Sequence, residues 1–367
     1  MSDVWPPGGP VRPSRVERGA RTQVLRRGVA AGVVGIIAVL ALGVYFAGRG
    51  GDPPPPPSEA SGEARTPVRS MLLALQVTGG PAPLLAVVGV PTDGEPFFMP
   101  LSTELTVVVP GQGETSAVGV AALPGGDSMR VALSNMAGVW IDHFAVLSLR
   151  DLEEAVDGAG GLAVNLPAAY PTTSDVLGPG EIAMSGGQVK AFLAGATADS
   201  GVRWEIVLGA MLADPPELVT SGSAQTDDAE AVNTIVSAAR GAEVLDMPTK
   251  RVTATIVVPE YPALDELLSE SLGSPMPVSA IVQNGSGEPG VGEAVAVRII
   301  PAGFRVVLAQ NAPSFDVSRT EVFANGAAHE EEARAIKAAL GVGRLQVAAV
   351  PSNVGDITIV VGKDFKA

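Results

Sequence analysis

The sequence contains no cysteine, and only two of its 367 residues are histidine. The absence of thiols excludes disulfide bonds, cysteine-ligated metal sites and lipoprotein attachment through an N-terminal cysteine. With His143 and His329 as the only imidazoles, a zinc site is not expected either. We therefore expect a fold that depends on its apolar core rather than on covalent or metal cross-links.

Aromatic residues are also scarce, at 4%, and the formal net charge is -15. Six arginines lie within the first 27 residues, so the rest of the chain is more acidic than the total suggests. Binding to phosphate backbones requires a basic surface, and nucleic acid is therefore not expected as a partner. The hydrophobic content of 46% and the chain length leave room for two domains with real cores.

One long apolar run begins at Gly28 and ends at Ala47, without charge or proline. As a helix it would be about 30 Å long, the thickness of the hydrocarbon core of a bilayer. The preceding arginines predict a cytoplasmic N-terminus and an extracytoplasmic location for everything after residue 50. We expect a single-pass plasma membrane protein; the alternatives are a cleaved signal peptide and a buried core helix.

Composition divides the rest of the chain into segments. Residues 1–27 are predicted to be a disordered basic tail in the cytoplasm, and residues 48–67 a linker in which five consecutive prolines favour polyproline II. Residues 68–258 are predicted to form one domain and residues 277–367 a second. Between them, residues 259–276 are interpreted as a second linker that contains a short helix.

The first domain is predicted to be α/β, because apolar strand-like runs alternate with helical patterns. Asp151 is expected to be the N-cap of its helix. Strands are predicted at 70–77, 84–90, 105–109, 141–149, 162–166 and 250–258, and helices at 127–139, 151–157, 185–193, 202–212 and 227–240.

The second domain is predicted to be a small α+β unit with the order β-α-β-β-α-β-β. After its first strand, residues 284–287 are expected to form a tight turn rather than a phosphate-binding loop, because no lysine follows the glycines. Strands are predicted at 278–283, 304–309, 319–323, 345–349 and 356–361, and helices at 291–300 and 327–340.

Two stretches carry a resemblance to a known family. Residues 138–147 read G-V-W-I-D-H-F-A-V-L, and residues 152–167 contain V-D-G-A-G-G-L-A-V-N-L-P. This pattern resembles the middle of the LytR-CpsA-Psr (LCP) domain, as do the short elements at 177–181 and 185–188. Residues 278–365 resemble the LytR C-terminal domain, with V-Q-N-G-S-G-E-P-G from residue 282 and V-G-D-I-T-I-V-V-G-K-D-F from residue 354.

The resemblance implies a function. LCP enzymes act outside the membrane and transfer glycopolymers from a polyprenyl-pyrophosphate carrier onto peptidoglycan. They hold the pyrophosphate with several arginines and a magnesium-binding aspartate. Arginines and a metal ion suit this task, because a pyrophosphate leaving group needs cations and bidentate guanidinium donors.

At most of the positions where the resemblance predicts these arginines and aspartates, this sequence has other residues. The segment 99–105, which matches an arginine-bearing strand end of the family, has no arginine, and residues 81–83 lack the early aspartate. Asp199, Gly201 and Arg203 remain recognisable from a later motif, and Asp199 and Arg203 are its two charged members. They are the candidate substrate-binding residues, and we predict no catalytic residue and no metal site, with Mg²⁺ bound only if the LCP-like site is active.

Each candidate also has an ordinary structural interpretation. Arg203 could be a solvated or salt-bridged helix residue, and Asp199 the N-cap of the following helix. Asp142 and His143 are interpreted as structural, since a histidine beside Phe144 on a strand is usually a core residue. No serine has a histidine and an acid in the context of a catalytic triad.

Three hypotheses follow for the function. The first is a non-catalytic binding or scaffold protein in cell-wall assembly, whose partners are wall glycopolymer, peptidoglycan or an active LCP transferase. The second is a diverged LCP phosphotransferase that attaches glycopolymer to peptidoglycan. The third gives the main role to the C-terminal domain as a peptidoglycan-binding module.

Overall fold

The structure is a computed structural model. It describes residues 69–76, 84–102, 104–123, 125–195, 200–220, 223–253, 256–348 and 354–367. The predicted tail, the apolar run at 28–47, the proline-rich linker and Asp199 lie outside these ranges. Among the helices that the structure describes, none is both long and apolar enough to span a bilayer.

In the described residues, the first part of the chain is built around a six-stranded sheet with the strand order β11-β6-β1-β2-β3-β12. Strand β1 is antiparallel to β2 and parallel to β6. The remaining strands form two-stranded ribbons, β4 with β5, β7 with β10, β8 with β9 and β13 with β14. The strands are β1 (Arg69–Gln76), β2 (Leu84–Val90), β3 (Phe97–Leu101), β4 (Thr106–Val109), β5 (Gly113–Ser116), β6 (His143–Ser148), β7 (Leu162–Leu166), β8 (Tyr170–Pro171), β9 (Val176–Leu177), β10 (Gly180–Met184), β11 (Gln225–Thr226), β12 (Glu243–Val244), β13 (Thr249–Arg251) and β14 (Val257–Pro259).

Helices cover both faces of this sheet. Along β2, Ala86 and Val88 belong to one apolar core, whereas Leu85 and Val87 belong to another on the opposite face. A strand buried on both faces needs a continuous apolar run, which is what the sequence provides here. The α/β class predicted for this part is confirmed. The helices are α1 (Ala117–Ala121), α2 (Gly125–Ala137), α3 (Leu149–Gly158), α4 (Gly186–Ala194), α5 (Ser200–Ala213), α6 (Ala229–Ala238) and α7 (Tyr261–Leu272).

The C-terminal part has the predicted order β-α-β-β-α-β-β. Its five strands form one sheet with the order β16-β15-β19-β17-β18, and both long helices pack on the same face of it. Two short 3₁₀ helices, at Ile300–Ala302 and Ala327–His329, adjoin the long ones. The elements are β15 (Val278–Asn284), α8 (Val291–Ile299), β16 (Phe304–Asn311), β17 (Glu321–Ala324), α9 (Glu330–Leu340), β18 (Arg344–Val347) and β19 (Ile357–Val361).

The segment 259–276, interpreted from the sequence as a linker, is folded along most of its length. Helix α7 begins at Tyr261 and buries Leu264, Leu268 and Leu272 in the core that it shares with α1 and α2. The spacing of four residues places the three leucines on one helix face. The helix ends at Gly273, whose φ of +63° is the left-handed conformation that favours glycine at this position.

Two local predictions need correction. The N-cap of α3 is Ser148 rather than Asp151: the Ser148 hydroxyl accepts from the Asp151 N–H, and the Asp151 carboxylate accepts from the Ser148 N–H at 2.8 Å. Asp151 is therefore the third residue of a capping box. The single strand predicted at 250–258 is instead the antiparallel ribbon β13–β14, in which Lys250 pairs with Val258.

The C-terminal part is docked onto α2 and α7 by polar side chains. The carboxamide of Asn135 bonds to both backbone groups of Val306 on the edge strand β16, at 2.7 and 2.9 Å. Arg305 donates through Nη1 to the Asp265 carboxylate at 2.8 Å and through Nε to the carbonyl of Asn135 at 3.1 Å. We call these four residues the docking contact. Gly138 has a φ of +68°, and a Cβ there would lie 2.5 Å from Cγ of Pro277 and 2.7 Å from Nη2 of Arg305, so glycine is strongly favoured at this position.

Candidate functional site

Arg203 lies on α5 and is almost completely buried, with 1% of its surface exposed. Its Nη1 donates to the carbonyl oxygens of Pro171 and Phe192, both at 2.8 Å. The guanidinium also lies over the rings of Tyr170 and Phe192, at 5.3 and 4.9 Å from their centroids. Arg203 thus joins β8 to the end of α4 from inside the fold, and its role as a substrate contact stays a prediction.

The other described arginines of this region lie in different surroundings. Arg150 is on the surface of α3, where its Nε donates to Glu154 at 2.9 Å. That hydrogen bond, together with the charge of Glu154, raises the pKa of Arg150. The side chain of Arg69, the remaining candidate, lies outside the described residues. Arg150 and Arg203 share no hydrogen-bond partner among the contacts described above.

Arg130, on α2, is enclosed by acids. Its Nη2 lies 2.6 Å from a carboxylate oxygen of Asp127, and its Nη1 lies 3.2 Å from one of Asp227. Nη1 also donates to the backbone carbonyl of Asp142 at 2.8 Å. The two carboxylates neutralise the guanidinium, so Arg130 is poorly suited to receive a further anion.

A pocket of about 430 Å³ opens beside this cluster. Its polar lining consists of Asp142, His143, Asp228, Glu230 and Thr234, and no arginine or lysine is among the lining residues. His143 is only partly buried, and its Nδ1 lies 3.3 Å from Asp227, so it is not the core residue expected from the sequence. The pocket favours cations or neutral polar groups over phosphates.

Metal ligands do not converge in the part of the chain that the structure describes: no group of three histidine, aspartate or glutamate side chains is placed to hold an ion. This also holds for the carboxylates that line the acidic pocket. A bound divalent cation would be needed to make an acidic pocket attractive to a pyrophosphate. The described residues alone do not supply that ion site.

The space between the sheet and the helices α5 and α6 is nearly filled. An apolar cavity of about 20 Å³ remains there, lined by residues such as Leu73, Phe98 and Met211. A volume of this size holds about one water-sized molecule.

The sequence also missed a buried carboxylate. Asp151 is 3% exposed and accepts hydrogen bonds from the hydroxyl groups of Ser148 and Ser223. The contact with Ser223 ties the segment before β11 to the start of α3. The S-x-x-D spacing at 148–151 is a signal for a capping box that could have revealed the first of these contacts.

Burial also raises the pKa of two groups, one beside the docking contact and one in the C-terminal part. Desolvation raises the pKa of Tyr261, whose ring lies 4.4 Å from the Arg305 guanidinium. Desolvation likewise raises the pKa of Glu321 on β17, and the neighbouring charge of Arg344 opposes that shift.

Comparison with known proteins identifies the C-terminal part. Residues 278–365 match the family model described as LytR cell envelope-related transcriptional attenuator. This part of the chain is a LytR C-terminal domain. The matched range is the one over which the sequence motifs indicated this resemblance. No curated protein sequence matches the chain.

Several solved structures are similar to the chain. TagV of B. subtilis is 15% identical, covering 57% of this chain and 99% of its own, with a TM-score of 0.46. TagT bound to LI-WTA is 16% identical over 56% of this chain and 91% of its own, with a TM-score of 0.47. A LytR-Csp2A-Psr enzyme from Actinomyces oris is 17% identical over 56% and 90%, with a TM-score of 0.45. The family-model match over residues 278–365 confirms the resemblance to the LytR C-terminal domain stated from the sequence.

Proposed function

We propose that the protein is a membrane-anchored, extracytoplasmic cell-envelope protein that acts in cell-wall assembly without catalysing transfer. It binds wall glycopolymer or peptidoglycan, or holds an active LCP transferase nearby. The observation that carries the proposal is the position of Arg203, whose guanidinium lies inside the fold on two backbone carbonyls. The LytR C-terminal domain supports the assignment to the cell envelope.

Electrostatics of the described residues supports a non-catalytic role. A pyrophosphate leaving group requires several cationic donors directed at one point. Arg130 is already neutralised by Asp127 and Asp227, and Arg150 is on the surface beside Glu154. The pocket next to Arg130 is lined by carboxylates, which would repel a diphosphate.

Packing supports the same conclusion. A transferase of this kind must accommodate a polyprenyl tail beside its reaction centre, which requires an apolar cavity. The apolar cavity described between the sheet and α5 is about 20 Å³. Packed cores rearrange only at a cost in free energy, so the folded state favours the closed arrangement.

A turnover assay tests the proposal against the diverged phosphotransferase. The full-length protein in detergent is incubated with a short polyprenyl pyrophosphate and Mg²⁺ or Mn²⁺, and phosphate release is measured. We expect no release. Release that disappears in Arg203→Lys but persists in Arg150→Ala would establish an enzyme and overturn the proposal; circular dichroism confirms that both variants are folded.

A second measurement tests the binding role directly. The same protein is sedimented with purified cell wall, which carries peptidoglycan and its attached glycopolymer. We expect the protein to enter the pellet and to remain there after washing. A protein that stays in the supernatant, and that also fails to retain an active LCP transferase in a pull-down, would contradict the proposal.

A further inference from the structure

The sheet of the LytR C-terminal domain has one face that its helices leave uncovered. Val282, Ile359 and Val322 face the helices and belong to the apolar core. Because side chains alternate along each strand, their neighbours Gln283, Val360 and Glu321 lie on the opposite face.

These residues form one continuous row across the sheet. Strand pairing places Gln310 beside Gln283, Gln283 beside Val360, Val360 beside Glu321 and Glu321 beside Arg344. The row crosses all five strands, a distance of roughly 19 Å at the usual strand spacing. We call these five residues the cross-strand row.

The polar members of the cross-strand row are available to a ligand. The side chains of Gln283, Gln310, Glu321 and Arg344 make no hydrogen bond or ion pair within 4 Å in the described part of the chain. Gln310 and Arg344 are exposed, and the other three are partly exposed. Polar side chains that have no partner within the protein are the usual recognition elements of a binding surface.

The face is less open in the next row of the sheet. There Ile281 and Phe323 are 7% and 3% exposed, and Thr358 between them is partly exposed. The backbone at Gly355 lies close to the Ile281 side chain and covers that end. A ligand would therefore lie across the strands along the cross-strand row, with Val360 as an apolar contact at its centre.

The charge of the row indicates which polymer fits it. The carboxyl of Glu321 and the guanidinium of Arg344 are direct cross-strand neighbours and offset each other. The two carboxamides are neutral and offer both a donor and an acceptor. The row therefore has no net charge and offers no excess of positive charge to a polyanion. An uncharged polymer with alternating hydroxyl and amide groups matches this pattern.

We propose that the cross-strand row binds a neutral, N-acetylated glycan strand, laid across the five strands of the LytR C-terminal domain. This inference rests on the proposed function and assigns the wall-binding role to a specific surface. The amides of Gln283 and Gln310 bond to hydroxyl and N-acetyl groups, and the apolar side of a sugar ring packs on Val360.

The test measures binding of the full-length protein to chitohexaose, a neutral N-acetylglucosamine oligomer, by isothermal titration calorimetry. Gln283→Ala combined with Gln310→Ala removes both carboxamides, and Gln225→Ala, an exposed glutamine on β11, is the matched control. We expect the double variant to bind at least about tenfold more weakly, because two hydrogen-bonding groups are lost. The control should bind as the unmodified protein does.

Three outcomes would overturn the inference. Equal affinity of the double variant and the control would place the glycan elsewhere, while retention on cell wall would leave the proposed function standing. Preferential binding of poly(glycerol phosphate) or of a free stem peptide would show that the surface recognises another polymer class. No binding of chitohexaose by the folded, unmodified protein would also reject the proposed surface.

Discussion

At the scale of the residue, Arg203 shows how burial and hydrogen bonding define the role of one charged group. Its guanidinium is 1% exposed and bonds to the carbonyls of Pro171 and Phe192. Burying a charge is costly unless hydrogen bonds satisfy it, and here carbonyls and aromatic faces do so. A group held in this way stabilises the fold and is not directed at the acidic pocket.

Replacing Arg203 by Ala is expected to destabilise the protein by roughly 3 kcal/mol, because two buried carbonyls lose their donor and a cavity remains. Urea unfolding followed by circular dichroism measures the change. Arg150→Ala is the control: its side chain is on the surface, and we expect the urea midpoint to stay unchanged. Equal midpoints for the two variants would contradict the structural role of Arg203.

At the scale of the element, helix α7 connects the two parts of the chain, and the burial of its apolar face determines how firmly they are joined. Leu264, Leu268 and Leu272 place one face of this helix in the core around α1 and α2. A flexible linker would leave these leucines in water, whereas their burial stabilises the helix and fixes its position.

Leu268→Ala is expected to destabilise the protein by about 2–5 kcal/mol, the range for truncating a buried leucine. The neighbouring Leu267 is only partly buried, so Leu267→Ala should cost clearly less. Thermal unfolding of both variants gives the comparison. A melting temperature for Leu268→Ala that equals that of the unmodified protein would show that the segment behaves as a linker.

At the scale of the molecule, the docking contact couples the LytR C-terminal domain to the preceding α/β part. Arg305 and Asp265 are 6% and 13% exposed at their side chains and are bidentate partners. Asn135 bonds to the N–H and carbonyl of Val306 on the edge strand β16, groups that an isolated domain would leave open to water or to another chain. We infer that the C-terminal domain has a fixed orientation on α2 and α7.

Breaking this contact should separate the unfolding of the two parts. Arg305→Met leaves Asp265 buried without its partner, at an expected cost of about 3–5 kcal/mol. Differential scanning calorimetry should show one transition for the unmodified protein and two for the variant. Arg344→Met, on the far edge of the same sheet, serves as the control and should keep a single transition. A single unshifted transition in Arg305→Met would refute the coupling.

Most helices and strands, and the family of the C-terminal domain, could be predicted from local sequence patterns. The strands at 84–90 and 162–166 and the order β-α-β-β-α-β-β follow from apolar runs, turn residues and motifs, all of which are local along the chain. Two short strands were not predicted: β5 has a polar sequence, and Pro100 interrupts the apolar run of β3.

The surroundings of the candidate site residue Arg203 and of the docking contact could be learned only from the three-dimensional structure. From the sequence, Arg203 could be a substrate contact or a solvated or salt-bridged helix residue, and only the packing of α4, α5 and β8 places it inside the fold. The pairing of Arg305 with Asp265, 40 residues away, and of Val306 with Asn135, 171 residues away, likewise has no local signal. Burial and hydrogen bonding depend on which surfaces meet in three dimensions, and the spacing of residues along the chain does not record that.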